Sequence, residues 1–425
     1  MKVLMFGWEF PPHITGGLGT ACYGLVKGLA RHHVQVTFIV PRMWGEEDQT
    51  FAKIVNASDV EINETNFSYD RYIEHLQTIS VNSSLLPYVM PEDFEKMMTR
   101  REVIPGMSLP LAFRAKYLFS GKYGSNLYEE VSRYALIAGV IAKMHPHDII
   151  HAHDWLTYTA GIAAKKASGK PLVIHVHATE FDRSGENVNS FVYDIERKGM
   201  EEADRVITVS NLTRNIVIER YGISPDKVFT VHNAVEPVEL KEINQPRGFD
   251  EKLVTFLGRI TYQKGPEYFV EAANKVLKHT GNVRFVMAGS GDMLVKMIRR
   301  VARLRIGDKF HFAGFLKGDD VLRVFSLSDV YVMPSVSEPF GISPLEAMRS
   351  NVPVIISKQS GVAEILTHAI KVDFWDTDAL ADAIYALITY NGISEMFRKY
   401  VRHEVDNLKW ENAAYKVKEV YLTAI

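Results

Sequence analysis

The sequence predicts an α/β protein built as two Rossmann-like domains that face each other across a cleft. Three observations carry this prediction. At 425 residues the chain is long enough for two domains with separate cores. Short apolar segments typical of buried parallel strands alternate with helical segments on both sides of a polar stretch at residues 236–250. The order of strand, glycine-containing loop and helix that begins at residue 2 starts again near residue 253.

Composition and charge are those of an ordinary globular protein. Hydrophobic residues make up 47% of the chain, and 49 basic against 51 acidic residues give a formal net charge of −2, so bulk electrostatics give no reason to bind nucleic acid. The single cysteine, Cys22, cannot form an internal disulfide and suits a reducing cytosol. No apolar stretch could span a membrane, and apolar residues 3–6 are too few for a signal peptide. We expect a cytoplasmic protein without membrane contact.

The N-terminal half has the elements of a doubly wound domain. Its predicted elements are strands over residues 2–6, 34–40, 148–153, 171–177, 202–210 and 227–232, helices over 18–31 and 125–144, and an elaborated insertion over 41–120.

The loop after the first strand contains Gly16 and Gly17 just before a helix. It is too long for the tight turn of a dinucleotide site, and Cys22 stands where the third glycine of that fingerprint belongs. The N-terminus of a helix still offers free N–H groups and a positive dipole end to an anion. We therefore predict a phosphate cradle at Gly16 and Gly17.

Two H-x-H units stand at strand ends in this half. They are His151 with His153 and His175 with His177, and strand alternation places both histidines of a unit on one face. Together with Asp154 they could ligate a metal ion, as in metal-dependent hydrolases. This hydrolase is an alternative hypothesis for the whole chain.

The C-terminal half repeats the alternation. Its predicted elements are strands over residues 253–257, 283–288, 310–312, 330–334 and 352–356, and helices over 292–305, 319–327, 378–390 and 410–422. Arg259 and Lys264 follow its first strand, with Gly258 and Gly265 beside them. A guanidinium fork and a mobile ammonium suit a diphosphate that gains charge as it leaves.

The string SEPFGISPLEA at residues 337–347 follows a buried strand and carries two carboxylates, Glu338 and Glu346. Gly341 lets the backbone approach a ligand closely. Ser343 is predicted as a helix N-cap, with Glu346 completing a capping box. Glu338 then lies in the loop beyond the carboxyl end of a strand, where open α/β sheets bind ligands.

Two other features are interpreted as structural. The basic helix over residues 292–305 could touch anionic lipid, but its apolar side chains are interpreted as a core stripe. Those side chains are Leu294, Val295, Ile298, Val301 and Leu304. The D-x-D sequence Asp376, Thr377 and Asp378 precedes a helix, so Thr377 or Asp378 is expected to cap that helix rather than to hold a metal ion.

Four segments together resemble a known family. In family order they cover residues 8–10 with 16–19, 151–155, 258–259 with 264–265, and 338–346. They resemble the retaining GT-B glycosyltransferases of families four and five, which include bacterial glycogen and starch synthases. The resemblance spans nearly the whole chain and implies a GT-B fold.

The resemblance implies a nucleotide-sugar donor held mainly by the C-terminal domain. By it, Arg259 and Lys264 hold the diphosphate, Glu338 meets the sugar hydroxyls and Glu346 meets the ribose. The other donor-binding residues that it implies are Gly16, Gly17, Gly341 and Ile342.

The same resemblance implies that His177 and Asp154 line the reaction centre, where they act with Glu338, Arg259 and Lys264, and that Glu9 and Asn233 lie nearby. The expected domains are an N-terminal acceptor-side domain, a linker, a C-terminal donor-binding domain and a last helix that crosses back to the first domain. Their expected bounds are residues 1–235, 236–250, 251–407 and 408–425.

The expected reaction is retaining transfer of a hexose, glucose above all, from ADP- or UDP-glucose to a glycan such as an α-1,4-glucan, without a metal cofactor. One departure weakens the case for a glycogen synthase specific for ADP-glucose: Ile14 stands where bacterial glycogen synthases usually carry lysine. A family-four transferase with another polysaccharide or glycolipid acceptor therefore remains an alternative. A silent glycan-binding module is a third hypothesis, which the intact Arg259, Lys264 and Glu338 disfavour.

Overall fold

The structure is a computed structural model, which describes residues 1–13, 16–61, 117–121, 123, 127–236 and 248–425. Ile14, most of the predicted insertion and most of the predicted linker lie outside these residues. The described residues form two parallel sheets flanked by helices, which confirms the predicted α/β class. No helix among them is long and apolar enough to cross a membrane.

The first sheet has seven parallel strands in the order β3-β2-β1-β4-β5-β6-β7. Its strands are β1 Lys2–Phe6, β2 Gln35–Val40, β3 Lys53–Asn56, β4 Ile149–His153, β5 Leu172–Val176, β6 Arg205–Thr208 and β7 Val228–Thr230. The associated helices are α1 Gly17–Arg31, α2 Leu127–Met144, α3 Trp155–Ser168, α4 Glu180–Ser184, α5 Ser190–Glu202 and α6 Asn211–Tyr221. Strand β3 lies in the stretch that was predicted only as an insertion.

The second sheet has six parallel strands in the order β10-β9-β8-β11-β12-β13. Its strands are β8 Lys252–Leu257, β9 Val283–Ala288, β10 Phe310–Gly314, β11 Val330–Met333, β12 Val354–Ser357 and β13 Ile370–Val372. The remaining helices are α7 Pro266–Val276, α8 Leu294–Leu304, α9 Asp319–Leu327, α10 Ser343–Arg349, α11 Thr377–Thr389, α12 Asn391–Asp406 and α13 Trp410–Ala424. Helices α7 and α12 and strand β13 were not predicted.

Each sheet reverses its strand order once, between β1 and β4 in the first and between β8 and β11 in the second. Loops that leave the carboxyl ends of strands diverge at such a reversal and open a crevice for ligands. Asp154 follows β4, Arg259 follows β8 and Glu338 lies beyond β11. The reversals therefore bring the predicted site residues to the mouths of two crevices.

Helix α13 packs on α1 of the first domain although it follows the second domain in sequence. Trp410 is buried against Gly24, where an added Cβ would lie only 2.3 Å from the indole ring. The buried Tyr421 hydroxyl lies 2.5 Å from Nδ1 of His151 on β4. Any bulkier residue at Gly24 would push this helix away, because the interior has no spare volume.

Three local predictions were wrong. Ser343 is the first residue of α10, and its hydroxyl accepts a hydrogen bond from Tyr331, so the predicted capping box does not form. Asp376, rather than Thr377 or Asp378, caps α11 by accepting from the Ala379 N–H.

The third error is partial and concerns the core stripe of α8: Val301 is buried and Leu294 and Leu304 pack against the core, as predicted. Met297 and Val301 are buried, whereas Val295 and Ile298 are 56% and 45% exposed. The helix starts two residues later than predicted and is held by its Met297 face, because apolar residues on opposite sides of one short helix cannot all meet the same sheet.

Candidate active site

The C-terminal face of the cleft centres on an ion pair between Lys264 and Glu338. Lys264 ends a 3-10 helix after β8, and its ammonium donates to the carboxylate of Glu338. The hydroxyl of Ser335 lies 3.3 Å from the same carboxylate, which is largely buried. Arg259 lies nearby in sequence on an exposed loop, where it bonds Gln263 at 3.1 Å and keeps guanidinium donors for a ligand.

Two glycines hold the loops of this face together. Gly265 has φ 62°, and an added Cβ would lie 2.0 Å from the carbonyl oxygen of Pro334, at the end of β11. Gly341 has φ 101°, and an added Cβ would press on Met333 and on Glu338 itself. Both φ values disfavour residues with a Cβ. Glycine at these two positions therefore allows Lys264 and Glu338 to meet.

Glu346 and Ile342 continue this face toward the first domain. Burial raises the pKa of the half-buried Glu346 carboxyl, and the Arg349 guanidinium opposes that rise. An added Cβ on Gly17 would lie 3.9 Å from Cδ1 of Ile342, so the loop with the predicted phosphate cradle lies against the Glu338–Glu346 segment. Gly16 is exposed beside it and has open space around its Cα.

The N-terminal face contains Asp154 and His177, directly after β4 and β5. Burial raises the pKa of Asp154, which Arg183 opposes from 3.8 Å. Burial lowers the pKa of His177 to about 3, so its imidazole is neutral near pH 7. Nε2 of His177 lies 2.9 Å from Nδ1 of His153. Asp154 has φ 63°, an uncommon conformation for a residue with a Cβ that is often found at functional sites.

A buried charge network behind this face was not predicted. The guanidinium of Arg183 bonds Glu180 and Glu196, and the hydroxyl of Tyr221 bonds Glu196 as well. Burial raises the pKa of Glu196 to about 7, with Arg183 and Tyr221 opposing. With Asp154 included, one cation faces three carboxyl groups, which favours a proton on one of them. The sequence places Arg183 and Glu196 thirteen residues apart, with no local pattern that pairs them.

Asp182 and Ser337 join the two faces. The Ser337 hydroxyl donates to the Asp182 carboxylate at 2.6 Å, and Asp182 also forms a capping box with Thr179 at the start of α4. A second contact across the domains lies at Glu364, whose carboxylate accepts from the Asn211 and Leu212 N–H groups. Ser337 immediately precedes Glu338, so the first contact brings the two candidate reaction faces together.

The remaining predicted residues lie in the N-terminal domain. Glu9 is buried, and its carboxylate accepts from the Gly19 N–H at 3.2 Å, at the N-terminus of α1. Asn233 is buried shortly after β7. Glu9 therefore occupies an N–H group in the first turn of α1, two residues after the predicted cradle at Gly16 and Gly17.

Two places in the described residues contain groups that could ligate a metal ion. The D-x-D sequence does not form a metal site, since Asp376 caps a helix and Asp378 pairs with Lys275 at 2.6 Å. The two H-x-H units do cluster: His151 and His153 stack with ring centroids 4.2 Å apart, and His175 and His177 stack at 4.4 Å. Both histidines of each unit lie on one face, as strand alternation predicted.

The arrangement can bind a charged ligand on one side and a neutral one on the other. Cationic groups of Arg259 and Lys264 stand at the end of β8, while His177 opposite them carries no charge. Opposed faces of this kind suit transfer of a group from an anionic carrier to a hydroxyl, because positive charge stabilises the anion that departs.

Two family models match the chain. The starch synthase catalytic domain model matches residues 2–231, and the glycosyl transferases group 1 model matches residues 240–404. The first match alone covers more than half of the chain.

Similar proteins cover the chain almost completely. An uncharacterized glycosyltransferase of Methanocaldococcus jannaschii is 29% identical, with 100% of this chain and 99% of the relative aligned. A glycogen synthase of Mycobacterium tuberculosis is 23% identical, over 100% of this chain and 95% of the relative.

Among solved structures, Anabaena HepE in complex with UDP-glucose aligns over 100% of both chains, with a TM-score of 0.67 and 15% identity. That likeness concerns the fold, and it confirms the predicted GT-B arrangement of two parallel-sheet domains. The family matches speak against the hydrolase hypothesis. The chain thus belongs to the starch synthase catalytic domain family, and it is a GT-B glycosyltransferase with hexosyltransferase activity.

Proposed function

We propose that this enzyme transfers glucose from ADP- or UDP-glucose to an α-1,4-glucan, with retention of the anomeric configuration. The observation that carries the proposal is the Lys264–Glu338 pair at the strand-order reversal, held against the Asp154 and His177 face by the Asp182–Ser337 hydrogen bond. The starch synthase match over residues 2–231 and the glycogen synthase relative support a glucan acceptor.

In this proposal, Lys264 changes partner when the donor binds. Its ammonium leaves Glu338 for the diphosphate, and Glu338 is then free to accept hydrogen bonds from the sugar hydroxyls. Arg259 adds a guanidinium fork to the same phosphates. As the sugar–phosphate bond breaks, negative charge grows on the bridging oxygen, and two cations already in place stabilise it.

His177 then acts on the sugar side as a neutral hydrogen-bond donor. If Nδ1 of His153 donates to Nε2 of His177, the His177 proton resides on Nδ1 and can point to a donor or acceptor hydroxyl. A neutral ring does not compete with Arg259 and Lys264 for the diphosphate. The departing phosphate takes the acceptor proton on the face of attack, and the chain excludes water by closing the cleft.

The proposal also covers the metal requirement of the reaction and the compartment in which the enzyme acts. The transfer step needs no metal ion, since Arg259 and Lys264 supply the positive charge. The enzyme acts in the cytoplasm, which the free, buried Cys22 suits.

The first experiment is a thermal-shift panel with ADP-, UDP- and GDP-glucose, with the matching mannose and N-acetylglucosamine donors as comparisons. A true donor raises the Tm, because it binds only the folded protein. At a concentration of 100 times Kd it adds about 2.7 kcal/mol to the free energy of unfolding. We expect the largest rise with ADP- or UDP-glucose, and incorporation of label from that donor into glycogen.

Two results would contradict this proposal. A rise only with a mannose or N-acetylglucosamine donor would overturn the choice of glucose. Consumption of ADP- or UDP-glucose with no label in glycogen, but with label in a lipid or heteropolysaccharide extract, would favour the alternative family-four acceptor.

A further inference from the structure

Three buried histidines, His151, His153 and His175, stack behind the N-terminal face of the cleft, next to the partly buried His177. The ring of His175 lies 5.3 Å from that of His151 and 5.2 Å from that of His153, and the latter two lie 4.2 Å apart. Each of these three side chains is at most 3% exposed. They come from the adjacent strands β4 and β5, which pair in register at His153 and His175.

The three rings have nitrogens that lack a hydrogen-bond partner among the described residues. These are Nε2 of His151, Nε2 of His153 and both nitrogens of His175. Buried polar atoms are nearly always paired, since leaving one unpaired is costly in free energy. Four such nitrogens in one cluster therefore indicate a bound partner to which several nitrogen lone pairs could be donated at once.

The hydrogen bonds that do exist orient these lone pairs. Nδ1 of His151 lies 2.5 Å from the Tyr421 hydroxyl, and Nδ1 of His153 lies 2.9 Å from Nε2 of His177. If each Nδ1–H donates in these contacts, both Nε2 atoms carry free lone pairs. A histidine that binds a metal ion commonly donates its other N–H in this way, which fixes the tautomer and the ring orientation.

A second group of potential metal ligands overlaps with these three histidines. Cys22, His153 and His177 also have potential ligand atoms close together. Nitrogens of His153 and His177 are already bonded to each other in that set. In the three-histidine set, by contrast, each ring offers one potential ligand nitrogen within 4.8 Å of those of the other two rings. Each of these rings also has at least one nitrogen without a partner among the described residues.

We propose that His151, His153 and His175 bind one divalent transition-metal ion of the Zn²⁺ class between β4 and β5. Imidazole nitrogens suit Zn²⁺, Co²⁺ and Ni²⁺, while Mg²⁺ and Ca²⁺ prefer oxygen ligands. The ion is structural: it joins two central strands and, through the Tyr421 and His177 contacts, couples helix α13 to the active-site histidine. It lies behind His177, so the proposal does not depend on which sugar is transferred.

The test uses the full, untagged chain without substrates, freed of metal by a chelator and titrated with Co²⁺. We expect one tightly bound equivalent with the visible absorption of nitrogen-coordinated Co²⁺, and a Tm that rises when Zn²⁺ is added. His175→Gln should lose both effects. His311→Gln, at an exposed histidine on β10, should keep both and serves as the matched control.

Each other outcome overturns the proposal or part of it. Wild-type protein that binds no ion tightly would overturn it outright, even if His175→Gln failed to fold. Unchanged binding in a folded His175→Gln or His151→Gln variant would place the ion elsewhere. Loss of the ion in Cys22→Ser would move it to the set of Cys22, His153 and His177. Binding that requires added UDP or ADP would identify a donor-site ion instead.

Discussion

The two faces of the cleft carry ionisable groups in opposite states. On the C-terminal face, Lys264 and Glu338 form an ion pair beside the exposed Arg259. On the N-terminal face, burial makes His177 neutral and raises the pKa of Asp154. The C-terminal face therefore presents charged side chains, whereas burial on the N-terminal face favours the uncharged forms of His177 and Asp154.

In the proposed function, this difference reflects what each face has to bind. A diphosphate needs cations that are present before it arrives. A sugar hydroxyl needs hydrogen-bond donors and acceptors in a dry site, where a net charge would be costly. Substitutions that remove charged groups from either face should show which of those groups act in the transition state.

The largest effect is expected from Glu338→Gln. The change keeps the shape of the side chain but removes the negative charge that pairs with Lys264. In the proposal, the same carboxylate accepts hydrogen bonds from the sugar hydroxyls. We expect turnover to fall by about 1000-fold, roughly 4 kcal/mol, while Kd for the nucleotide product stays within a few-fold. Steady-state kinetics and product titration measure the two quantities. Near-normal turnover would remove Glu338 from the site.

Lys264→Ala tests the charged face directly. Loss of one charge-assisted contact to the leaving diphosphate should lower turnover by about 30- to 1000-fold, roughly 2–4 kcal/mol. Lys275→Ala is the matched control, because Lys275 on α7 pairs with the exposed Asp378 on α11. A structural role for Lys264 predicts a lowered Tm with normal turnover per folded molecule. A stable and fully active variant would exclude Lys264 from the donor site.

Glu196→Gln tests the low-charge face through pH. The folded pKa of about 7 exceeds the ordinary value of 4.5, so the folded state holds the extra proton between these values. Wild-type protein therefore loses stability from this group as pH rises from 4.5 to 7, about 3 kcal/mol in all. Glutamine imitates the protonated form and should remove that loss, so its Tm relative to wild type rises between pH 5 and 8.

The control for that prediction is Glu201→Gln, since Glu201 forms a half-exposed ion pair with Arg197. Its Tm difference from wild type should change little over the same pH range. Parallel pH curves for wild type and Glu196→Gln would mean that Glu196 stays ionised beside Arg183.

Arg259→Lys separates fork geometry from charge. Lysine keeps the positive charge but cannot make two parallel hydrogen bonds to a phosphate. We expect turnover to fall by about 10- to 100-fold and the nucleotide product to bind more weakly. Arg299→Lys on the exposed side of α8 is a suitable control. Equal turnover in Arg259→Lys would show that only charge is required there.

Most of the sheet architecture was predictable, whereas contacts between distant segments were not. Buried strands such as β9 and β11 have continuous apolar runs that identify them directly. Strand β13 was missed because it has three residues and only Val372 is fully buried. Helix α12 was missed although Phe397, Val401 and Val405 recur at helical spacing, and of these only Val401 and Val405 are buried.

In the candidate site, too, individual residues were predictable from the sequence, whereas their contacts were not. Glu338 and Lys264 could be proposed from motifs, but their ion pair joins positions 74 residues apart. The Arg183–Glu196 pair and the Asp182–Ser337 contact carry no motif, since polar residues on short helices usually face solvent. Tertiary packing decides those contacts, and a single sequence contains no local trace of them.

The smallest effect is expected from metal removal at the donor site. If Arg259 and Lys264 carry the charge compensation, transfer should proceed at the same rate after brief EDTA treatment and should not increase with added Mg²⁺ or Mn²⁺. The metal content of the same sample has to be measured, because a buried histidine-bound ion can survive a brief chelator treatment. Loss of activity that Mn²⁺ restores while the histidine ion remains in place would mean that a donor-site metal shares the role of the two cations. The charged face would then be incomplete without that ion, and the contrast between the two faces would no longer explain how the diphosphate is neutralised.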